Sequence, residues 1–164
     1  MLNGRIRTVL VGAFALALAA PAAARADGSP GPDKDRARQL RAKAEALFDK
    51  PSEWRRAARL LEESAALRTA DDAEAYDCLL YAGRIRASFG DYGVATRLLQ
   101  RAAEHALARG VVLDAAQAYV DAAFAAKADK NIASAAELLE RARLLTGSPT
   151  LSEGERVALL SRID

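Results

Sequence analysis

One histidine and one cysteine, His105 and Cys78, stand in this chain of 164 residues, and they bound the side-chain chemistry open to it. A nucleophilic mechanism with a histidine base needs that imidazole beside a serine or cysteine and an orienting acid. His105 lies next to Glu104 in the stretch AAEHALARG, a charged helix end without a nucleophile motif. It reads as a surface histidine where a helix C-terminus favours positive charge. A structural zinc site takes about four Cys/His ligands, and the chain offers one of each. Cys78 has no partner for an internal disulfide and reads as a small apolar filler on the buried side of a helix; an intermolecular disulfide is the alternative. The acidic pairs Glu62-Glu63 and Asp71-Asp72 do not make an acid/base couple, because adjacent helical residues point in different directions. They fit a solvated face and a helix cap. No glycine-rich phosphate loop, nucleophile elbow or metalloprotease motif occurs. The expectation is a non-enzymatic protein with no catalytic residue, no metal and no cofactor.

The N-terminal stretch sets the compartment. Arg5 and Arg7 precede an apolar run from Thr8 to Ala20, Pro21 breaks it, and small residues lead to Ala24-Arg25-Ala26. This is the layout of a secretory signal peptide over residues 1–26, cleaved after Ala26. Export to the periplasm or the extracellular space is therefore expected. Retention as a membrane anchor is the rival reading, but the run is shorter than the ~20 residues a spanning helix needs, so no stable membrane span is expected after cleavage. Cleavage removes three of the 24 Lys and Arg and none of the 22 Asp and Glu, leaving the mature chain near −1. A nucleic-acid binder normally carries a basic stripe, and here the two signs are mixed, so nucleic acid is not expected as a partner. Residues 27–33, DGSPGPD, read as a Gly/Pro linker, and residues 34–164 as one folded domain.

Within that domain one thirteen-residue phrase is written three times: EWRRAARLLEESA from Glu53, DYGVATRLLQRAA from Asp91 and NIASAAELLERAR from Asn131. Each places its inward residues at steps of three, four and three: Trp54, Ala57, Leu61 and Ser64; Tyr92, Ala95, Leu99 and Ala102; Ile132, Ala135, Leu139 and Ala142. That spacing draws one stripe along a helix. Leu60, Leu98 and Leu138 widen it, so each phrase is an amphipathic helix with a broad buried face.

Turn signals pair each phrase with an earlier helix. Gly90 can end a helix in the left-handed conformation, and Asp91 then stands at a cap position. Ser52 and Asn131 offer the same cap in the other copies. The preceding helices are expected over about Lys34 to Asp49, Asp72 to Ser88 and Leu113 to Ala128. Asp71 with Glu74 reads as a capping box for the second of these. Ala57, Ala95 and Ala135 are spaced by 38 and then 40 residues, the period of stacked helical pairs. After Thr146-Gly147-Ser148-Pro149 a last helix begins at Ser152, boxed by Glu155, with Val157, Leu160 and Ile163 on its inner side. It would cap the stack.

The stretch Leu79-x-x-Ala82-Gly83 … Gly90-Asp91-Tyr92-x-x-Ala95-x-x-x-Leu99-x-x-Ala102 resembles the tetratricopeptide repeat, and the long period is similar to the variety found in kinesin light chains. The first copy has Ser52-Glu53-Trp54 where the pattern has Gly-Asp-Tyr, and the third has Lys130-Asn131-Ile132. What the resemblance implies is an all-α, right-handed α-solenoid of about three hairpins plus the C-terminal capping helix. It also implies a concave wall lined by the first helix of each pair. In this register the inward positions are Gln39 and Ala42, then Asp77, Leu80 and Arg84, then Gln117, Val120, Phe124 and Lys127. A protein or peptide of mixed apolar and charged character suits such a strip, and these residues are the expected partner-binding set. Packing of Leu80, Val120 and Phe124 against neighbouring helices is the competing reading. A self-associating structural protein of the cell envelope, a homo-oligomer, is the alternative function.

Overall fold

A computed structural model describes residues 32–163; the expected leader and residues 27–31 of the expected linker lie outside that range. Seven helices follow one another in it: α1 (Pro32–Glu45), α2 (Trp54–Ala66), α3 (Ala73–Ser88), α4 (Tyr92–Ala108), α5 (Val112–Ala128), α6 (Ile132–Leu145) and α7 (Glu153–Ile163). No strand occurs among the described residues, so the all-α expectation holds. Each helix from α1 to α6 packs against the next, α3 also touches α5, and α7 lies on both α5 and α6. The result is a series of packed consecutive helix pairs in which the three repeated phrases are α2, α4 and α6.

The turns explain where these helices stop. Gly90 and Gly110 end α3 and α4 with φ of 81° and 74°, where a side chain would be strained. Lys130 does the same work after α5 with φ of 61°; it is the non-glycine that the third copy carries at the glycine position. Asp91, Val111 and Asn131 each donate their backbone N–H to a carbonyl five residues back, Arg86, Ala106 and Ala126, at 2.9–3.0 Å. This closes the helix end in the manner of a Schellman turn.

Several caps differ from expectation. Ser52 does not cap α2: Pro51–Glu53 form a single 3-10 turn, and α2 starts behind it without a side-chain cap. Asp91 does not cap α4, because its carboxylate is taken by Arg86 at 3.2 Å. The α3 cap is Asp72 rather than Asp71, accepting from the Glu74 N–H at 2.9 Å, since Glu74 itself is drawn to Arg68 and Arg41. Asn131 and Ser152 cap as expected, on Ser134 N–H at 3.1 Å and in a reciprocal box with Glu155. The helix α1 begins at Pro32, inside the expected linker; proline suits a first helical turn, where an N–H would go unpaired.

Alanine makes the core. Ala57, Ala95 and Ala135 are all buried, as are Leu61, Leu99 and Leu138 beside them. Side chains this small let helix axes approach to the near end of the ~8–10 Å range. Cys78 is buried as expected, and its thiol donates to Ser64 Oγ at 3.6 Å, while the Ser64 hydroxyl donates to the Ala37 carbonyl at 2.8 Å. That chain of bonds ties α1, α2 and α3 through one buried polar atom, and it accounts for the serine in the apolar stripe of the first copy. Two apolar assignments are corrected. Ile132 stays 64% exposed, as the first residue of α6 standing clear of α5. On α7 the inward side is Leu159 and Ile163, with Val157 exposed, because α7 crosses α5 and α6 with that i, i+4 pair facing them.

Candidate functional site

A groove of about 420 Å³ opens between α3 and α5. Leu99 and Tyr92 of α4 form its floor, Ala87 and Ala125 its walls, and Arg84 and Phe124 its edges. It exists because the walls are alanines: α3 and α5 touch only lightly, and nothing large fills the gap between them. Phe124 is 48% exposed, so about half of an apolar side chain stands open beside the groove.

Charge is concentrated at one rim. Arg84 from α3 donates to one Asp121 oxygen through Nε at 2.9 Å and Nη2 at 2.7 Å. Arg162 from α7 reaches the other oxygen at 2.7 Å. One carboxylate on α5 therefore binds guanidinium groups from the helices on both sides. Asp121 escaped the sequence reading, because the three partners lie 37 and 41 residues apart and pair only after folding.

A second, smaller opening of about 180 Å³ lies on the other flank of α3, lined by Phe48, Trp54, Tyr81 and Ile85. The Trp54 indole N–H is satisfied by the Phe48 carbonyl at 2.8 Å, and the Phe48 and Tyr81 rings stand 6.1 Å apart at 46°. What this cleft presents is ring face and aliphatic surface. Of the four, the sequence pattern picked out Trp54 alone, and nothing in it joined that residue to Phe48, Tyr81 and Ile85.

The expected partner-binding residues divide. Arg84 and Phe124 meet at the groove, and Lys127 is exposed one turn beyond Phe124. Gln39 and Ala42 are exposed on α1. Asp77 is half-buried and held by Arg41 at 3.5 Å, and Gln117 borders a small cavity between α5 and α7. Leu80 and Val120 are corrected: both are buried, Val120 completely, because α3 and α5 turn those positions into the neighbouring helices. Of the three apolar residues expected on the wall, packing claims two and leaves Phe124.

His105 is also corrected. It is half-buried, its Nδ1 is enclosed without a hydrogen bond among the described residues, and burial, followed by the nearby Arg101, pushes its pKa down despite Glu104 and Asp72. Burial pushes the Cys78 thiol up, against the pull of Arg41 and Arg68, which keeps it protonated and unreactive at neutral pH. No three His, Cys, Asp or Glu side chains cluster as metal ligands among the described residues. None of their helices is long and apolar enough to cross a membrane. Comparison of the chain with known protein families, with curated proteins and with solved structures returns no match.

Proposed function

We propose that this chain is an exported, non-catalytic interaction module that holds a protein or peptide segment on the face formed by α1, α3 and α5. In this reading the helix pairs stack as a right-handed solenoid of the tetratricopeptide type, α7 caps the stack, and the groove belongs to its concave wall. The carrying observation is that groove: apolar inside, edged by a half-exposed Phe124, and rimmed by the Arg84–Asp121–Arg162 bridge. An apolar hollow with charged groups at its edge is the anatomy of a non-obligate interface. Export rests on the layout of residues 1–26, and the absence of catalysis on the lack of any converging nucleophile, base and acid motif in the sequence.

The test is capture from the exported fraction with the Arg84→Glu, Phe124→Ala double variant beside the unaltered chain. Loss of a specifically recovered partner supports the reading, and unchanged recovery sinks it. Self-association remains as a second reading because Leu144 and Val157, on the last two helices, are 72% and 57% exposed. Light scattering over a concentration series separates the two: a monomer that persists at high concentration removes the structural role.

A further inference from the structure

The groove and the aromatic cleft are the same place in successive helix pairs. Trp54 and Tyr92 are the first residues of α2 and α4, and each contributes to one opening. Ile85 and Ala125 stand at matching positions of α3 and α5, 40 residues apart, and again each contributes to one. The two openings are separated only by the exposed ridge of α3, which carries Tyr81 on the cleft side and Arg84 on the groove side, one turn apart. Both ridge residues are about half exposed, so a ligand can pass over α3 from one opening to the other.

The two openings lie on either side of one helix, and helix axes packed side by side stand about 8–10 Å apart. A polyproline-II segment advances ~3.1 Å per residue and returns to the same face every third residue, so its positions i and i+3 lie ~9 Å apart on one side. An α-helix rises ~1.5 Å per residue, so it needs about six residues to cover that distance and about seven to present the same face again. Aromatic-lined grooves suit the stiff rings of such an extended segment, and with the Trp54 indole N–H bonded to the Phe48 carbonyl the cleft meets it mainly with ring faces.

Charge fixes the orientation. At the groove rim Arg84 and Arg162 share the single carboxylate of Asp121, two guanidinium groups on one acid. On the far side Arg41 and Arg68 face Glu45, Asp72, Glu74 and Asp77, two cations on four acids.

We propose that the occupant of this face is an extended, polyproline-II-type segment. It places proline or aliphatic side chains about three residues apart, one in the Phe48–Trp54–Tyr81 cleft and one in the groove beside Phe124. An acidic residue next to the second anchor meets Arg84 and Arg162. This rests on the reading of the face as a peptide-binding surface and adds what the peptide must look like.

The probe is a library of random peptides displayed on phage and panned against the purified exported chain. Enriched sequences are then synthesised and measured by fluorescence anisotropy against the unaltered chain, Tyr81→Ala, Phe124→Ala and Arg84→Glu. Both aromatic side chains are about half exposed, so their truncation leaves the fold in place, which a thermal melt verifies. The expected result is an i, i+3 apolar pattern with an acidic neighbour, weakened about tenfold by either aromatic truncation, as for loss of an anchor contact. Arg84→Glu should weaken acidic peptides and spare those with the acid replaced by glutamine. Enriched peptides that depend on Phe124 but carry a helical i, i+7 spacing or basic neighbours overturn this proposal and leave the peptide-binding reading standing. Peptides indifferent to all three substitutions, or no enrichment, overturn both.

Discussion

Gly83 of α3 lies directly against Leu99 of α4: a Cβ added to the glycine would stand 2.6 Å from Leu99 Cγ and 2.9 Å from one of its methyl carbons. Leu99 is itself buried, so relieving the contact means pushing its side chain out of its packed position toward the groove it floors. Alanine is the better helix former by about 1 kcal/mol, and at an exposed site that gain would appear as added stability. Here overpacking, at about 1–3 kcal/mol, opposes it. Gly83→Ala is expected to lower the denaturation midpoint, and an unchanged or raised midpoint would show that α3 and α4 are less closely apposed.

Ser64→Ala tests the buried polar link. Its hydroxyl serves Ala37, Cys78 and Arg68 at once, with the Arg68 Nε at 3.4 Å. Removing it leaves an enclosed arginine and thiol without that acceptor, a loss of about 1–3 kcal/mol. Urea unfolding reads it, and Ser64→Thr, which keeps the hydroxyl, should recover part of the loss unless its methyl group overfills the site. A neutral Ser64→Ala would mean the hydroxyl is incidental to the joining of α1, α2 and α3.

The helical pairs were legible because the chain repeats itself. A 3.6-residue period with alanine at the crossing points fixes which faces must meet, and Gly90 with Asp91 marks where one helix of a pair ends. The errors fall where a side chain had two uses. Asp91 could cap α4 or pair with Arg86, and Asp72 or Asp71 could begin α3; an ion pair across the turn decided the first and the Glu74 N–H bond to Asp72 the second. Leu80 and Val120 share the inward register with Phe124, and only the rotation of α3 and α5 against their neighbours determined that Phe124 alone stays open. The Asp121 bridge and the aromatic cleft were hidden for a related reason, since each joins residues from elements that no local pattern connects.

Tyr76 provides a test at high pH. Burial, with a smaller push from Asp114, raises its hydroxyl from 10.0 to about 12. Below pH 10 the phenol is neutral in both folded and unfolded chains, and its contribution is fully present. Between pH 10 and about 12 only the unfolded chain ionises, so stability falls across that window, by roughly 3 kcal/mol at most for a two-unit difference. Tyr76→Phe removes the titration, and the gap between the two proteins' urea midpoints should therefore narrow or reverse as pH rises through this range. Parallel curves would show that the hydroxyl reaches water.

His105 acts at the opposite end. Its pKa is pushed down from 6.5 by burial, so the folded chain prefers the neutral ring. Above pH 6.5 the ring is neutral in both states and costs nothing. As pH falls below 6.5 the unfolded chain takes up the proton first, and stability drops until the folded pKa is passed. A His105→Gln variant should lose less stability than the unaltered chain between pH 7 and pH 5, measured by urea midpoints. Equal losses would place the imidazole in solvent.

Asp121→Asn separates rim chemistry from core packing. The arginines it holds are 49% and 40% exposed in their side chains, where ion pairs contribute about 0–1 kcal/mol each because water screens them. Losing the carboxylate leaves two guanidinium groups facing each other across α5 with no counter-charge, so a small destabilisation is expected at low salt. Screening should erase it near 1 M salt, where the Debye length is only ~3 Å. Thermal melts of both proteins at low and high salt give the answer. A gap of several kcal/mol, or one insensitive to salt, would mean that the bridge braces α3, α5 and α7 as a structural clamp. Partner carboxylates could not then compete for the arginines without loosening the fold, and the acid-reading rim would have to lie elsewhere.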